Sequence, residues 1–394
     1  MAMSDFDLVV YGASGFTGKL VAQYLAERSG PERIALAGRS QWKLEAVRDD
    51  LGVDWPVLVA DAADPKALAK LAKSTTALVT TVGPYWKYGL PLVEACAKAG
   101  THYADLAGEV LFMRESIERY DAVAKKSGAR IVHASGFDSI PSDLGVYLLH
   151  DAAGAPLGET VMAVRWASGG FSGGTIASGI GQMEAAKADP ALRRVMEDPY
   201  ALTPGEAGPD EGDQIWVHYE PVLDSWTGPF MMAMINTRVV RRSNMLLGYE
   251  YGRDFTYKEV VATGPGLGGR TRATLLATAS TGGMAALSLA PARKVASRFL
   301  PEPGEGPGPE AREKGGFRIE FRSSLPDGRV FGAEVIGKGD PGYAATSRML
   351  SESGLCLATT EGPGGVLTPA SAMGDDLVER LRAAGMTLRA WQVR

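Results

Sequence analysis

The residues best able to do chemistry stand near the start of the chain. Gly12-Ala13-Ser14-Gly15-Phe16-Thr17-Gly18 directly follows the apolar run Val9-Val10-Tyr11 and opens a helical pattern. Three glycines so placed give a tight turn, a close approach of backbone to an anion, and close helix–sheet packing. Gly12, Ser14 and Gly18 then frame the amides of Gly15, Phe16 and Thr17, which face a pyrophosphate at a helix N-terminus. Lys19 does not convert this into a mononucleotide phosphate loop. Five residues separate Gly12 from Gly18, and Leu20 stands where a hydroxyl is needed. The chemistry indicated is dinucleotide binding.

The end of the second strand selects the dinucleotide. An acid there would bind a ribose 2′-hydroxyl, whereas an arginine accommodates a 2′-phosphate. This chain has Gly38-Arg39-Ser40 with Lys43 one turn on, and no acid. A guanidinium fork suits phosphate oxygens and Ser40 adds a hydroxyl, so NADP(H) is the expected cofactor. Asp61, ending a third strand, could meet the adenine. Val82-Gly83-Pro84-Tyr85, ending a fourth, could meet the nicotinamide ribose, because ligands of open parallel sheets lie beyond the carboxyl ends of the strands.

Hydride transfer then needs a positioned nicotinamide and a proton donor. Tyr85, Lys87 and Tyr88 are candidates just past the fourth strand. Asp138, with His133 and Ser139, follows a sixth strand at the same sheet edge, and Glu109 is a further candidate. The short-chain dehydrogenase arrangement is excluded, since none of the 13 tyrosines has a lysine four residues later. A rival lies in Gly170-Phe171-Ser172-Gly173-Gly174, a GxSxG pattern after a strand. A serine hydrolase using Ser172 would have only His218 as a downstream base. A third alternative is a non-catalytic NADPH-binding sensor or lipid-surface component.

These residues need a scaffold, and the first half supplies one. Short apolar runs near residues 9–11, 34–37, 57–60, 78–82, 103–106 and 131–134 alternate with helical patterns, the third helix opening on Asp64-Pro65. That alternation predicts an α/β fold with a Rossmann-type, doubly wound parallel sheet. After about residue 149 the runs lengthen and alternate, near 160–166, 215–219, 317–322 and 330–336, with a hairpin turn at 325–329. The expected organisation is a dinucleotide-binding unit at 1–148 and a second α+β domain with an antiparallel sheet at 149–342. The second unit is expected to hold the substrate and a homodimer contact. Helices within 343–394 should pack back on the first unit. Residues 301–316, rich in Pro, Gly and charge, read as a mobile loop. The uncharged stretch 273–292 reads as a buried or membrane-touching helical pair, too diluted by Thr, Ser, Gly and Pro to span a bilayer.

Composition narrows the partners. With 41 Lys plus Arg against 46 Asp plus Glu, the net charge is −5, which lacks the basic footprint of a nucleic-acid binder. Two cysteines and four scattered histidines, without HExxH or CxxC, give no expected metal site or disulfide framework. The opening residues carry no basic, apolar leader pattern, so a cytoplasmic location is expected, with peripheral lipid contact through 273–292 as an option.

Taken together, YGASGFTG (11–18), AGRS (37–40), VGPYWKYG (82–89), THYADLAGE (101–109) and GFDSIPSDLG (136–145) resemble the saccharopine dehydrogenase-like oxidoreductases. SGGTIASG (172–179), GYAATSRM (342–349) and GGVLTPASAMG (364–374) extend the likeness toward the trans-acting enoyl reductase branch. The resemblance implies an NADPH-dependent reductase with a substrate domain inserted after the cofactor domain. It also implies reduction of a C=C bond in an apolar acyl or polyketide-type compound, free or carrier-bound. No set of charged residues matches a dicarboxylic amino acid, so saccharopine chemistry is not expected.

Overall fold

A computed structural model of the chain describes residues 4–28, 30–169, 173–205, 207–287, 306 and 308–394. Its strands, in chain order, are β1 (Phe6–Tyr11), β2 (Ile34–Gly38), β3 (Val57–Val59), β4 (Thr75–Thr80), β5 (His102–Asp105), β6 (Arg130–Val132) and β7 (Glu159–Ala167). There follow β8 (His218–Glu220), β9 (Ser225–Pro229), β10 (Thr256–Gly264), β11 (Gly316–Ser324), β12 (Val330–Lys338), β13 (Gly365–Leu367) and β14 (Thr387–Gln392). They form two sheets, ordered β13-β6-β5-β4-β1-β2-β3 and β14-β12-β11-β7-β10-β9-β8.

The first sheet is parallel throughout. Its central strands are apolar on both faces, as helix-covered parallel strands must be, and Leu8, Val9, Val10, Leu78 and Val79 are fully buried. Each such side chain contributes roughly 1.5–3 kcal/mol by leaving water. The covering helices start where local chemistry dictates. Asp64 accepts hydrogen bonds from the amides of Lys66 and Ala67, and Pro65 fills the first helical position. Helix Phe16–Arg28 buries Gly18, Val21, Ala22 and Leu25 on the sheet.

The second sheet is mixed. β7 and β10 pair in parallel, while β11, β12, β14, β9 and β8 join antiparallel. Phe317 and Phe321 on β11 are fully buried, Phe321 against Gly145 of helix Ile140–Ala153 and Phe317 edge-on to Phe137 just before it. The C-terminal residues divide between the sheets. Helix Thr346–Thr359 packs on β1, β4 and β5, and β13 extends the first sheet beside β6. β14, however, pairs with β12 in the second sheet. The carboxyl end therefore stitches both layers and does more than return to the first.

Two sequence expectations change. Within 301–316, residues 301–305 and 307 lie outside the described residues, but Pro309–Lys314 is a helix and not open loop. Gly282 and Gly283 do not divide the uncharged stretch, because a single helix runs from Gly266 to Leu287. That helix is largely exposed where its side chains are described, and residues 288–292 lie outside the described residues. Among the described residues no helix is long and apolar enough to cross a membrane.

Candidate active site

The glycine loop joins β1 to helix Phe16–Arg28, and Gly12 and Gly18 each have a measurable reason to be glycine. Gly12 has φ +89°, and a Cβ there would stand 2.8 Å from Val82 Cγ2 and 2.9 Å from Thr81 Oγ1. A Cβ at Gly18 would fall 2.1 Å from the Gly12 carbonyl oxygen, so only glycine lets the helix sit this close to the strand. Gly15 donates its amide to that same carbonyl at 2.9 Å, while Lys19 N donates to Gly15 O. The amides of Phe16, Thr17 and Gly18, in the first turn, lack partners inside their own helix. The turn contains no acid to repel an anion. Backbone concavity, free donors and dipole together fit a pyrophosphate. Phe16 is held edge-on to Tyr343 with ring centroids 4.9 Å apart, and the Arg312 guanidinium lies 5.3 Å from the Phe16 ring.

At the end of β2, Arg39 is exposed and has no ion pair or hydrogen bond with any described residue. Ser40 occupies the N-cap position of helix Gln41–Leu51, with extended backbone at φ −125°, but its hydroxyl makes no capping bond. Both groups are thus free for a ligand. The Lys43 ammonium leans over the exposed Trp42 ring, 5.3 Å from its centre. Asp61 accepts the Ala63 amide at 2.8 Å in a local turn, which leaves its carboxylate at the rim beyond β3. Nearby, burial and then the Asp61 charge push the Tyr11 hydroxyl up to about 12.

The other side of the edge, beyond β4, β5 and β6, is tied by one buried carboxylate. Asp105 Oδ1 accepts the amides of Ala107 and Ala134, both at 3.0 Å. Its Oδ2 meets the Tyr103 hydroxyl at 2.9 Å and His133 Nδ1 at 2.7 Å. His133 Nε2 in turn meets Ser116 Oγ at 2.8 Å. Four partners on one carboxylate fix the start of the two loops that carry Glu109 and Asp138. This Ser–His–Asp line is wholly buried, which makes it a structural knot, not a nucleophile.

Glu109 is a clamp. Its Oε1 accepts the Tyr85 amide at 2.9 Å and the Ser178 hydroxyl at 2.6 Å, and Oε2 accepts the Trp86 amide at 2.7 Å. Gln182 Nε2 donates to the Gly108 carbonyl at 3.2 Å. Helix Gly173–Ala188 is thereby docked against the loops after β4 and β5.

The sequence-derived proton-donor candidates end in different settings. Tyr85 is buried, its hydroxyl donating to Thr80 O at 3.1 Å and accepting from Leu106 N at 3.2 Å. Burial and then the charges of Asp105, Asp138 and Glu109 hold that hydroxyl well above its usual range. Its proton is committed to the strand end. Lys87 and Tyr88 are exposed on the short turn after the cis Gly83-Pro84 bond, with the ammonium 5.1 Å from the Tyr88 ring. Asp138 differs: it is half-buried, and no cation among the described residues is paired with it. A Cβ at Gly136 would lie 3.2 Å from its Oδ2, and one at Gly108 3.6 Å from its Oδ1. The carboxyl therefore rests between two glycines of adjoining loops. Burial, assisted by the Asp105 charge, pushes it up to about 7. Its neighbour Ser139 donates to Asn236 Oδ1 at 3.0 Å.

Sequence reasoning named Glu109 only as one more donor and did not see Asp105, Ser116, Ser178 or Gln182. A strand-ending acid is the one signal Asp105 offers; Tyr103 and Ala107 are two residues away, but His133 and Ala134 lie 28 and 29 positions on. Ser172 lies outside the described residues. His218 stands exposed on β8.

Residues 8–132 match the family model of the saccharopine dehydrogenase NADP binding domain. Saccharopine dehydrogenase (L-Glu forming) from Saccharomyces cerevisiae superposes with a TM-score of 0.54 over 98% of this chain and 99% of that one. At 12% identity that likeness concerns the fold alone. The matched NADP binding domain, with the relatives that follow, makes the chain an NADP-dependent oxidoreductase on a saccharopine dehydrogenase-like scaffold. A trans-acting enoyl reductase from Mycobacterium ulcerans is 43% identical, covering 99% of this chain and 98% of that protein. One from Mycobacterium tuberculosis is 42% identical over 98% of each. Another M. tuberculosis relative, provisionally given the same description, is 48% identical over 98% of this chain and 97% of its own length. The chain belongs to this family of trans-acting enoyl reductases.

Proposed function

We propose that the protein uses NADPH to reduce the C=C bond of an apolar acyl or polyketide-type substrate, with Asp138 as the proton donor. Bound NADPH supplies a hydride to the β-carbon of the enoyl group. The Asp138 carboxyl then delivers a proton to the α-carbon and is reprotonated from water, so one C=C bond becomes two new C–H bonds. The choice of a carbon–carbon double bond comes from the names of the relatives. The assignment of the donor comes from the site.

The observation that carries the donor role is the place of the Asp138 carboxyl, set between Gly136 and Gly108 on the loops that follow β6 and β5, where burial raises it to about 7. A general acid works best when its pKa lies near the working pH. Tyr85 is the weaker donor, since its hydroxyl proton is already used at Thr80. Arg39, Ser40 and Lys43 would hold the 2′-phosphate, and the amides of Gly15, Phe16 and Thr17 the pyrophosphate. Asp61 would face the adenine, and Val82 and Gly83 the nicotinamide ribose. Glu109 and Asp105 act by positioning the loops and touch no substrate. The acyl chain is free, CoA-linked or borne on a carrier.

The test follows NADPH absorbance with a trans-2-enoyl thioester. Asp138→Asn is expected to cut kcat by about 10²–10⁴-fold, the usual worth of a general acid, with NADPH affinity unchanged. Wild-type kcat should fall as pH rises through about 7, where the acid loses its proton, and the variant should lack that limb. An unaltered kcat in Asp138→Asn would end the donor assignment.

A further inference from the structure

Of the exposed large apolar side chains among the described residues, Leu267 and Leu275 lie on helix Gly266–Leu287, Tyr219 lies on β8, Ile215 and Trp216 just precede β8, and Met231 just follows β9. The β8–β9 hairpin and helix Gly266–Leu287 adjoin each other. The helix lies so close on β9 that a Cβ at Gly228 would stand 3.3 Å from the Ala273 carbonyl oxygen and 3.0 Å from Leu276 Cδ2. Tyr219 packs edge-on to Trp226 at 5.5 Å, and the Arg270 guanidinium lies 5.2 Å from the Trp226 ring. Ala273 and Ala277 are buried on the sheet side, which turns the opposite face outward.

That outward face has an unusual chemistry for a water-facing helix. Over 22 residues it contains no acid, and its charges are Arg270 and Arg272. The exposed Thr271, Thr274 and Thr278 hydroxyls donate to the carbonyls four residues back, Leu267, Arg270 and Thr274, at 2.9, 2.9 and 2.8 Å. Hydroxyls bonded back into their own helix ask little of water, so these threonines can enter a less polar surrounding at small cost. Acids near the hairpin are already engaged: Asp213 pairs with Arg238, Glu220 with Lys258, and Asp224 accepts the Tyr219 hydroxyl.

We propose that this face rests on an anionic lipid surface, with Leu267, Leu275 and Trp216 entering the acyl boundary and Arg270 and Arg272 meeting the headgroups. Trp and Tyr favour that boundary because one end of the ring is apolar and the other wet. Arginine beside them reaches phosphate with an apolar stem along the helix. A second copy of the chain is the poorer occupant, because a helix-to-helix contact would oppose arginines with no acid on either helix to answer them. This inference stands independently of the reduction proposed above.

The test is flotation of the full chain with vesicles of phosphatidylcholine alone and of phosphatidylcholine with phosphatidylglycerol. The wild type should float with the anionic vesicles and lose binding as salt rises. Arg270→Gln and Arg272→Gln should each weaken partitioning about fivefold, the usual worth of one basic side chain at an anionic surface. Leu267→Ser with Leu275→Ser should abolish flotation while circular dichroism and NADPH affinity stay as in the wild type. Absence of wild-type flotation overturns the proposal, as does flotation indifferent to phosphatidylglycerol or to these substitutions. Self-association in sedimentation that the leucine substitutions abolish, with no flotation, would assign the face to a second copy.

Discussion

Arg39→Ala separates the two nicotinamide cofactors by a calculable amount. In the structure the Arg39 side chain is exposed and has no acidic partner among the described residues, so removing it disturbs no ion pair among them. Its loss is felt only by a ligand group lying beyond β2, and NADP and NAD differ there by one phosphate. A hydrogen-bonded contact to a charged group contributes about 1.5–3 kcal/mol. An exposed guanidinium belongs in the lower part of that range, because solvent screens it. About 2 kcal/mol corresponds to a roughly thirtyfold weaker Kd for NADPH. NADH, which lacks the phosphate, should bind the variant as it binds the wild type. Calorimetric titration with both cofactors reads the two numbers separately, and the NADPH advantage should shrink as salt is raised. Equal losses for NADPH and NADH would mean that Arg39 acts on the fold or on the shared part of the cofactor. No loss for either would remove it from the site.

Other expectations follow from single contacts. Gly18→Ala forces a methyl group to within 2.1 Å of the Gly12 carbonyl oxygen. It should cost about 1–3 kcal/mol in urea unfolding and lower the affinity for both cofactors together. Glu109→Ala strands the amides of Tyr85 and Trp86 and the Ser178 hydroxyl. Unfolding should show a loss of at least about 3 kcal/mol, the low end of about 1–3 kcal/mol for each of the three donors, since two of them are only partly buried. Asp143 and Glu259 are buried carboxyls pushed up to about 7, in each case chiefly by burial. The folded chain therefore holds their protons up to about pH 7, whereas the unfolded chain releases them near pH 4. Their contribution to stability is full below about pH 4 and is lost as pH climbs through about 7. Within that window the slope is about 1.4 kcal/mol per pH unit for each group. Asp143→Asn with Glu259→Gln should flatten the slope seen in denaturant titrations from pH 5 to 8; an unchanged slope would contradict it.

The first sheet was legible because its signals are local. Asp64-Pro65 announces a helix start within two residues, and each strand of β1, β2 and β4 carries an unbroken apolar run. β13 escaped because three residues, Gly365–Leu367, show no periodicity, and it pairs with β6 more than 230 positions away. β9 reads Ser-Trp-Thr-Gly-Pro, whose Gly and Pro look like a loop, and β10 interrupts its alternation with Lys258 and Glu259. Those two charges survive in a strand because Lys258 pairs with Glu220, and Glu259 accepts from Asn236 and Tyr257.

The site was legible in part for the same reason. A glycine loop and a strand-ending arginine lie along the sequence, and their roles follow from spacing. The Asp105–His133–Ser116 knot joins a strand, its neighbour and a helix, at separations of 28 and 17 residues. Nothing in the order of residues announces such a contact. The uncharged stretch misled for a different reason. Absence of charge reads as burial, yet Leu275 is 65% exposed. Here low charge marks a face whose hydroxyls are satisfied within the helix.

The central claim is hydride delivery to the β-carbon of an enoyl group with a proton added at the α-carbon. The most direct measurement is a turnover with NADPH deuterated at the transferred position of the nicotinamide ring, in ordinary water, followed by NMR of the acyl product. The account predicts one deuterium at the β-carbon, hydrogen from solvent at the α-carbon, and loss of turnover in Asp138→Asn. Deuterium at a carbonyl-derived carbon, at the α-carbon, or nowhere in the product would contradict it.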